Sequence, residues 1–196
     1  GQENNVFDKH PEVVEGLIRY YDNLWVDLQP GFNNVPRIPL TDPDQETVAL
    51  NYHDCIGRHN GWFQNEMRQI SNRIDTPESN RPAAFWPVEV ETGGEYRIEL
   101  CRWPVELDRP IHADLPPGAP VYGEKSHRST PGSGFPAVKA NLSIGGQQLT
   151  TSVDEETRAA VFQTELSAGS HRLSAKFFDV QGRSLDVFYV YVRKAD

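Results

Sequence analysis

Apolar residues recur at helical spacing between residues 11 and 28, where Val14, Leu17, Ile18, Tyr21, Leu24, Trp25 and Leu28 fall on one face. Glu12, Glu15, Arg19, Asp22 and Asn23 take the opposite face. Pro11 suits the first helical position, where a missing N–H costs nothing, and the two glutamates stand near the positive end of the helix dipole. The pattern predicts an amphipathic helix stopped by Gln29-Pro30-Gly31. Its stripe demands a cover, since one buried Trp side chain removes about 150–250 Å² from water, on the order of 4–6 kcal/mol.

Proline at positions 30, 36, 39 and 43 then predicts an extended connector over 31–46. From Val48 the period falls to two. Strands are predicted at 47–55, 85–91, 96–103, 138–144, 158–166, 171–179 and 185–193, with Tyr96, Ile98 and Leu100 alternating against Arg97 and Glu99. Turns are expected at Gly93-Gly94, Gly145-Gly146, Ala168-Gly169 and Gln181-Gly182. The run Val187-Phe188-Tyr189-Val190-Tyr191-Val192 is apolar on both faces and reads as a central strand. Long loops are left at 56–84 and 104–137. The fold class is therefore mainly β: an antiparallel β-sandwich or jelly-roll-like domain preceded by one amphipathic α-helix. The domain bounds are 1–30 for the helix, 31–46 for the connector and 47–196 for the sandwich.

A chain of 196 residues has room for one such domain and a short appendage. Its net charge of -9 repels phosphate backbones and anionic lipid, which argues against nucleic acid and membrane surfaces as partners. No apolar stretch approaches the length of a membrane span, and the polar start from Gly1 has neither the basic nor the apolar region of an export signal. That start, without Met, reads as a boundary cut within a longer protein. Cys55 and Cys101 leave one possible disulfide, closing a loop of about 46 residues for roughly 4 kcal/mol. Two buried thiols are the alternative.

Several segments carry a family resemblance. The helix opens His10-Pro11-Glu12-Val13-Val14 and continues Tyr20-Tyr21-Asp22-Asn23-Leu24-Trp25, preceded by Gln2-Glu3-Asn4-Asn5-Val6. Farther on stand Asn51-Tyr52-His53-Asp54, Trp86-Pro87-Val88-Glu89-Val90, Leu100-Cys101-Arg102-Trp103-Pro104 and Tyr189-Val190-Tyr191-Val192-Arg193. In this order they resemble the C-terminal region of bacterial arylsulfatase-like enzymes, with a β-rich extension after the catalytic core. The resemblance implies sulfuric ester hydrolysis in the parent protein, with export to the periplasm or outside the cell. It also implies a formylglycine nucleophile and a calcium ion, both expected only in a missing catalytic domain. This chain lacks the Cys-x-Pro-x-Arg or Ser-x-Pro-x-Arg segment that formylglycine requires. It has no Asp-Asp pair for calcium, and Asp22-Asn23 lies on the polar helix face. No cofactor is expected in the chain itself.

The densest polar and aromatic cluster is Asn51-Tyr52-His53-Asp54-Cys55 followed by His59-Asn60-Gly61-Trp62-Phe63. His53 and His59 lack zinc spacing, and a hydrogen-bonded loop is the simpler reading. His53 and Cys55, two apart on an expected strand, share a face, which is the one basis for a free-standing enzyme with a reactive thiol. A carbohydrate site would use flat exposed rings with polar neighbours, so Trp62, Trp86 and Trp103 join His53 and Asp54 as candidate binding residues. Core packing is the ordinary fate of such tryptophans. Ser126 to Gly134, with Lys125 and Arg128, is a polar tract able to cradle an anion through backbone N–H groups, or simply a solvated loop.

The leading expectation is a non-catalytic accessory domain of an arylsulfatase-type hydrolase, docked on its own catalytic domain and capping the rim of the cleft. The alternative is a carbohydrate-binding module that targets sulfated glycans. Pairing of two copies through the exposed helix is a further possible contact.

Overall fold

The computed structural model describes residues 5–32, 34–41, 44–57, 67–79, 83–119 and 130–195, in two units, Gly1–Pro36 and Arg37–Asp196. In the first unit the apolar stripe forms one helix, α1 (Pro11–Phe32), which runs past the expected stop with Pro30 inside it. Pro30 falls in the last turn, where its ring removes one hydrogen bond from a helix about to end, so it does not break the helix. Along α1, Tyr21 stacks on Trp25 at 6.2 Å between ring centroids, and Trp25 meets Phe32 at 5.2 Å. No described residue of α1 is buried.

The second unit begins earlier than the connector pattern predicts. β1 (Ile38–Pro39) and β2 (Val48–Asn51) come first, followed by β3 (Trp86–Val90) and β4 (Gly94–Cys101). β5 (Lys139–Ile144), β6 (Gln147–Ser152), β7 (Ala159–Leu166) and β8 (Gly169–Phe178) follow, then β9 (Ser184–Asp186) and β10 (Tyr189–Lys194). They form two sheets, one ordered β1-β3-β8-β5-β6 with β9 also on β8, the other β2-β10-β4-β7. Every pairing is antiparallel except β1 with β3. The fold is a β-sandwich. Its core joins Tyr96, Ile98 and Leu100 of β4 with Trp86, Val88, Leu173 and Phe177 of the other sheet, and its buried members among the described residues run from Leu40 to Val192.

Two differences from the expected strands have clear causes. β6 carries one apolar residue, Leu149, because it lies at a sheet edge and half of its positions face solvent. The hairpin into it turns on Gly145 and Gly146, both at positive φ (59° and 77°), as a two-residue type I′ turn needs. The expected strand 185–193 is instead two strands. β9 pairs with β8 in one sheet and β10 sits between β2 and β4 in the other, so the chain crosses the sandwich at Val187 and Phe188. Both crossing residues are buried, which is why the run reads as apolar on both faces.

The cysteines are not bridged. Cys55 follows a short 3-10 turn and Cys101 ends β4; both are buried and free.

Candidate functional site

Asn51, Tyr189 and Cys101 lie in one row across adjacent strands β2, β10 and β4. Just beyond this row the chain leaves the sheet, and the departing segments enclose a cleft of about 500 Å³. Its apolar lining is Met67, Pro104, Leu107 and Leu115; its polar and aromatic lining is Asn51, His53, Arg68, Arg102, Trp103 and Tyr189.

The turn that carries His53 is built by local hydrogen bonds. The Asn51 side chain accepts from the His53 N–H at 2.8 Å and donates to Asp54 Oδ2 at 2.7 Å, while the Asn51 backbone N–H donates to the same carboxylate oxygen at 3.2 Å. Asn51 thus caps a 3-10 turn (Tyr52–Asp54) and the Asp54 carboxylate closes the capping box, a structural task. The turn also ends the alternation expected through residue 55. His53 is exposed at the cleft and Cys55 is buried, so the two do not share a strand face. Burial, reinforced by Asp186 and Asp54, pushes the Cys55 thiol strongly up, away from the thiolate a nucleophile requires.

Arg102 is 1% exposed and is clamped between two aromatic rings, its guanidinium carbon 3.8 Å from the Trp103 centroid and 4.7 Å from that of Phe188. Its Nε donates to the Ser133 carbonyl at 3.2 Å. Nη2 donates to the carbonyls of Met67 (2.7 Å), Ser133 (3.0 Å) and Arg68 (3.3 Å). Arg68 in turn donates from Nε to the Thr130 carbonyl at 2.6 Å and from Nη2 to that of Pro116 at 3.2 Å. The two arginines therefore tie three loop segments to the end of the sheet. Burial lowers the Arg102 guanidinium to about 9, with Tyr189 opposing the fall and Arg68 adding to it. Tyr189 is raised by burial, with Arg102 opposing and Glu106 adding.

Of the three tryptophans proposed as sugar platforms, Trp86 is 1% exposed, packed in the core with its indole N–H donating to the Asn51 carbonyl at 2.7 Å. It offers no face to a ligand. Trp103, 4% exposed, donates its N–H to the Ala113 carbonyl at 2.8 Å and gives one face to Arg102, so only part of its rim reaches the cleft. A Cβ on Gly132 would stand 2.5 Å from Trp103 Cη2, so glycine there lets the loop close over the ring. Trp62 and His59 lie outside the described residues, as do Lys125 and residues 126–129 with Arg128. The rest of that tract, Thr130 to Gly134, borders the cleft through the carbonyls that hold the arginines.

Sequence reasoning missed Arg68, Arg102 and Tyr189 as site residues. Arg102 stands only in a segment of the family resemblance, and Tyr189 in such a segment and in the expected central strand. The available signal was an Arg directly before Trp at the end of an alternating strand. Among the described residues, no group of three or more His, Cys, Asp or Glu is placed to hold a metal ion. No described helix is long and apolar enough to cross a membrane.

No family model matches the chain, and no curated protein matches it significantly. Similar folds do occur among solved structures. A family 35 carbohydrate-binding module from Clostridium thermocellum aligns at a TM-score of 0.39 and 12% identity, over 77% of this chain and 100% of that one. A carbohydrate-binding module from Cellvibrio mixtus lichenase 5A, solved with cellotriose, aligns at 0.35 and 12% over 76% and 98%. A ruminal endo-β-1,4-mannanase aligns at 0.40 and 12% over 80% of this chain, which spans only 27% of that enzyme. At such scores these likenesses carry no argument about what this chain binds. None of the three is a sulfatase, and the resemblance read from the sequence gains no support from them.

Proposed function

We propose that the sandwich is a carbohydrate-binding module whose site is the cleft beyond the Asn51–Tyr189–Cys101 row. One observation supports this reading above the rest: the cleft is lined by apolar side chains together with hydrogen-bonding ones. Leu107, Leu115 and Met67 suit the C–H faces of a sugar, and Asn51, His53, the Tyr189 hydroxyl and the arginines suit its oxygens. Its volume of about 500 Å³ falls in the ordinary range for a small-molecule site, roughly 300–1,000 Å³. The buried, protonated thiols favour binding over nucleophilic chemistry.

An accessory role beside another domain rests on α1, which by itself leaves Leu17, Ile18 and Trp25 exposed. The sulfatase identity of that domain has no such support.

The test is calorimetric titration of the full chain with neutral and acidic oligosaccharides. Saturable binding is expected in at least one series, weakened at least about tenfold by Leu115→Trp, which fills the cleft. Absence of heat in every series, or full affinity in the filled variant, overturns the reading.

A further inference from the structure

The charges of this cleft run against those of the molecule. The chain carries -9, yet the described lining holds two guanidiniums and an imidazole and no carboxylate. Neither Arg68 nor Arg102 is ion-paired among the described residues. Arg102 is the telling case. A buried ion is costly unless an opposite charge or full hydrogen bonding compensates it, and buried arginines ordinarily meet a carboxylate. Here Nε and Nη2 are spent on carbonyls, and among the described residues nothing accepts from Nη1. The two aromatic rings fix the guanidinium plane, so those remaining donors are held in place before a ligand arrives. Arg68, only partly buried, is held by the carbonyls of Thr130 and Pro116 through Nε and Nη2. A carboxylate or sulfate group fits the Nη1 donors left on the two guanidiniums, because a charge-assisted hydrogen bond to an anionic oxygen is stronger than one to a neutral acceptor.

We propose that Arg68 and Arg102 form an anion subsite within the cleft, so that its ligand is an acidic saccharide held through a uronate carboxylate or a sulfate ester. This rests on the carbohydrate reading and adds the charge of the sugar. The anion would supply the counter-charge that no described residue gives Arg102, and carbonyl dipoles alone compensate that charge only partly.

The experiment compares three ligands of equal length on the full chain by calorimetry: a neutral oligosaccharide, an oligouronide and a sulfated oligosaccharide. The expected result is that one acidic ligand binds at least about tenfold more tightly than the neutral one. Arg68→Gln should remove that preference, and Arg68→Lys, which keeps the charge but not the Nη1 donor or the carbonyl contacts that place it, should restore part of it. Far-ultraviolet circular dichroism and the thermal midpoint establish that each variant is folded. Whichever acidic ligand binds better identifies the group as carboxylate or sulfate. Equal or tighter binding of the neutral ligand, or a preference that survives Arg68→Gln, overturns the anion subsite and leaves carbohydrate binding standing. Silence from all three ligands overturns both.

Discussion

Cys101 ends β4 in the row that borders the cleft, and its thiol is pushed up to about 12 by burial, with Glu99 adding to the rise. Cys55 shifts the same way. In the unfolded chain such thiols ionise near 9. A folded value above the unfolded one gives stability that is whole below pH 9 or so and is lost as pH climbs toward 12. Tyr96, Tyr189 and Tyr191 are also raised and act in the same direction. Urea midpoints should therefore fall steadily from about pH 9 upward, and Cys55→Ala with Cys101→Ala should make the decline shallower. The same thiols should be silent to a thiol reagent in the native protein and appear as two groups in unreduced denaturant. Their absence there would mean a disulfide. Both cysteines were visible in the sequence as a pair, but spacing along the chain says nothing of the distance between them, and only packing left them buried and unbridged.

Among the elements, the β5–β6 hairpin offers the simplest check on register. Gly146 has positive φ and open space around its Cα, so a side chain there meets backbone strain without a steric clash. Gly146→Val should cost about 1–3 kcal/mol, read as a lower thermal midpoint, with saccharide binding at the cleft unchanged. A neutral substitution would mean that the turn is of another type. The Gly145-Gly146 turn was legible because glycine takes positive φ at little steric cost, as both central positions of a type I′ turn require. β6 was not, since an edge strand with one apolar residue has no periodicity to read. The split of 185–193 was also hidden, because a chain crossing between two sheets is apolar all round, just as a central strand is.

At the scale of the whole molecule, the buried core of the second unit runs, among the described residues, from Leu40 to Val192, with Ile38 of β1 packed against it. A chain beginning at Arg37 should therefore fold by itself, with one cooperative transition in thermal and urea unfolding traced by tryptophan fluorescence and circular dichroism. Non-coincident transitions would mean that the sandwich depends on residues before Arg37. The connector expected over 31–46 misplaced this start, because Pro39 was read as loop. A proline is in fact admissible in a short strand at a sheet edge, where its missing N–H breaks no ladder.

Alternation, glycine turns and the helical stripe were enough, from sequence alone, to determine a mainly β-sandwich with one amphipathic helix. Those patterns record burial along a single element, which is a local property. The site was decided by tertiary structure. Asn51, Arg68, Arg102 and Tyr189 come from distant parts of the chain, and strand order in the sheet together with loop carbonyls bonded to two arginines brings them to one cleft. The same packing turned Trp86 and Trp103 from candidate platforms into core and clamp, because a ring's exposure depends on what lies across from it and not on its neighbours in sequence.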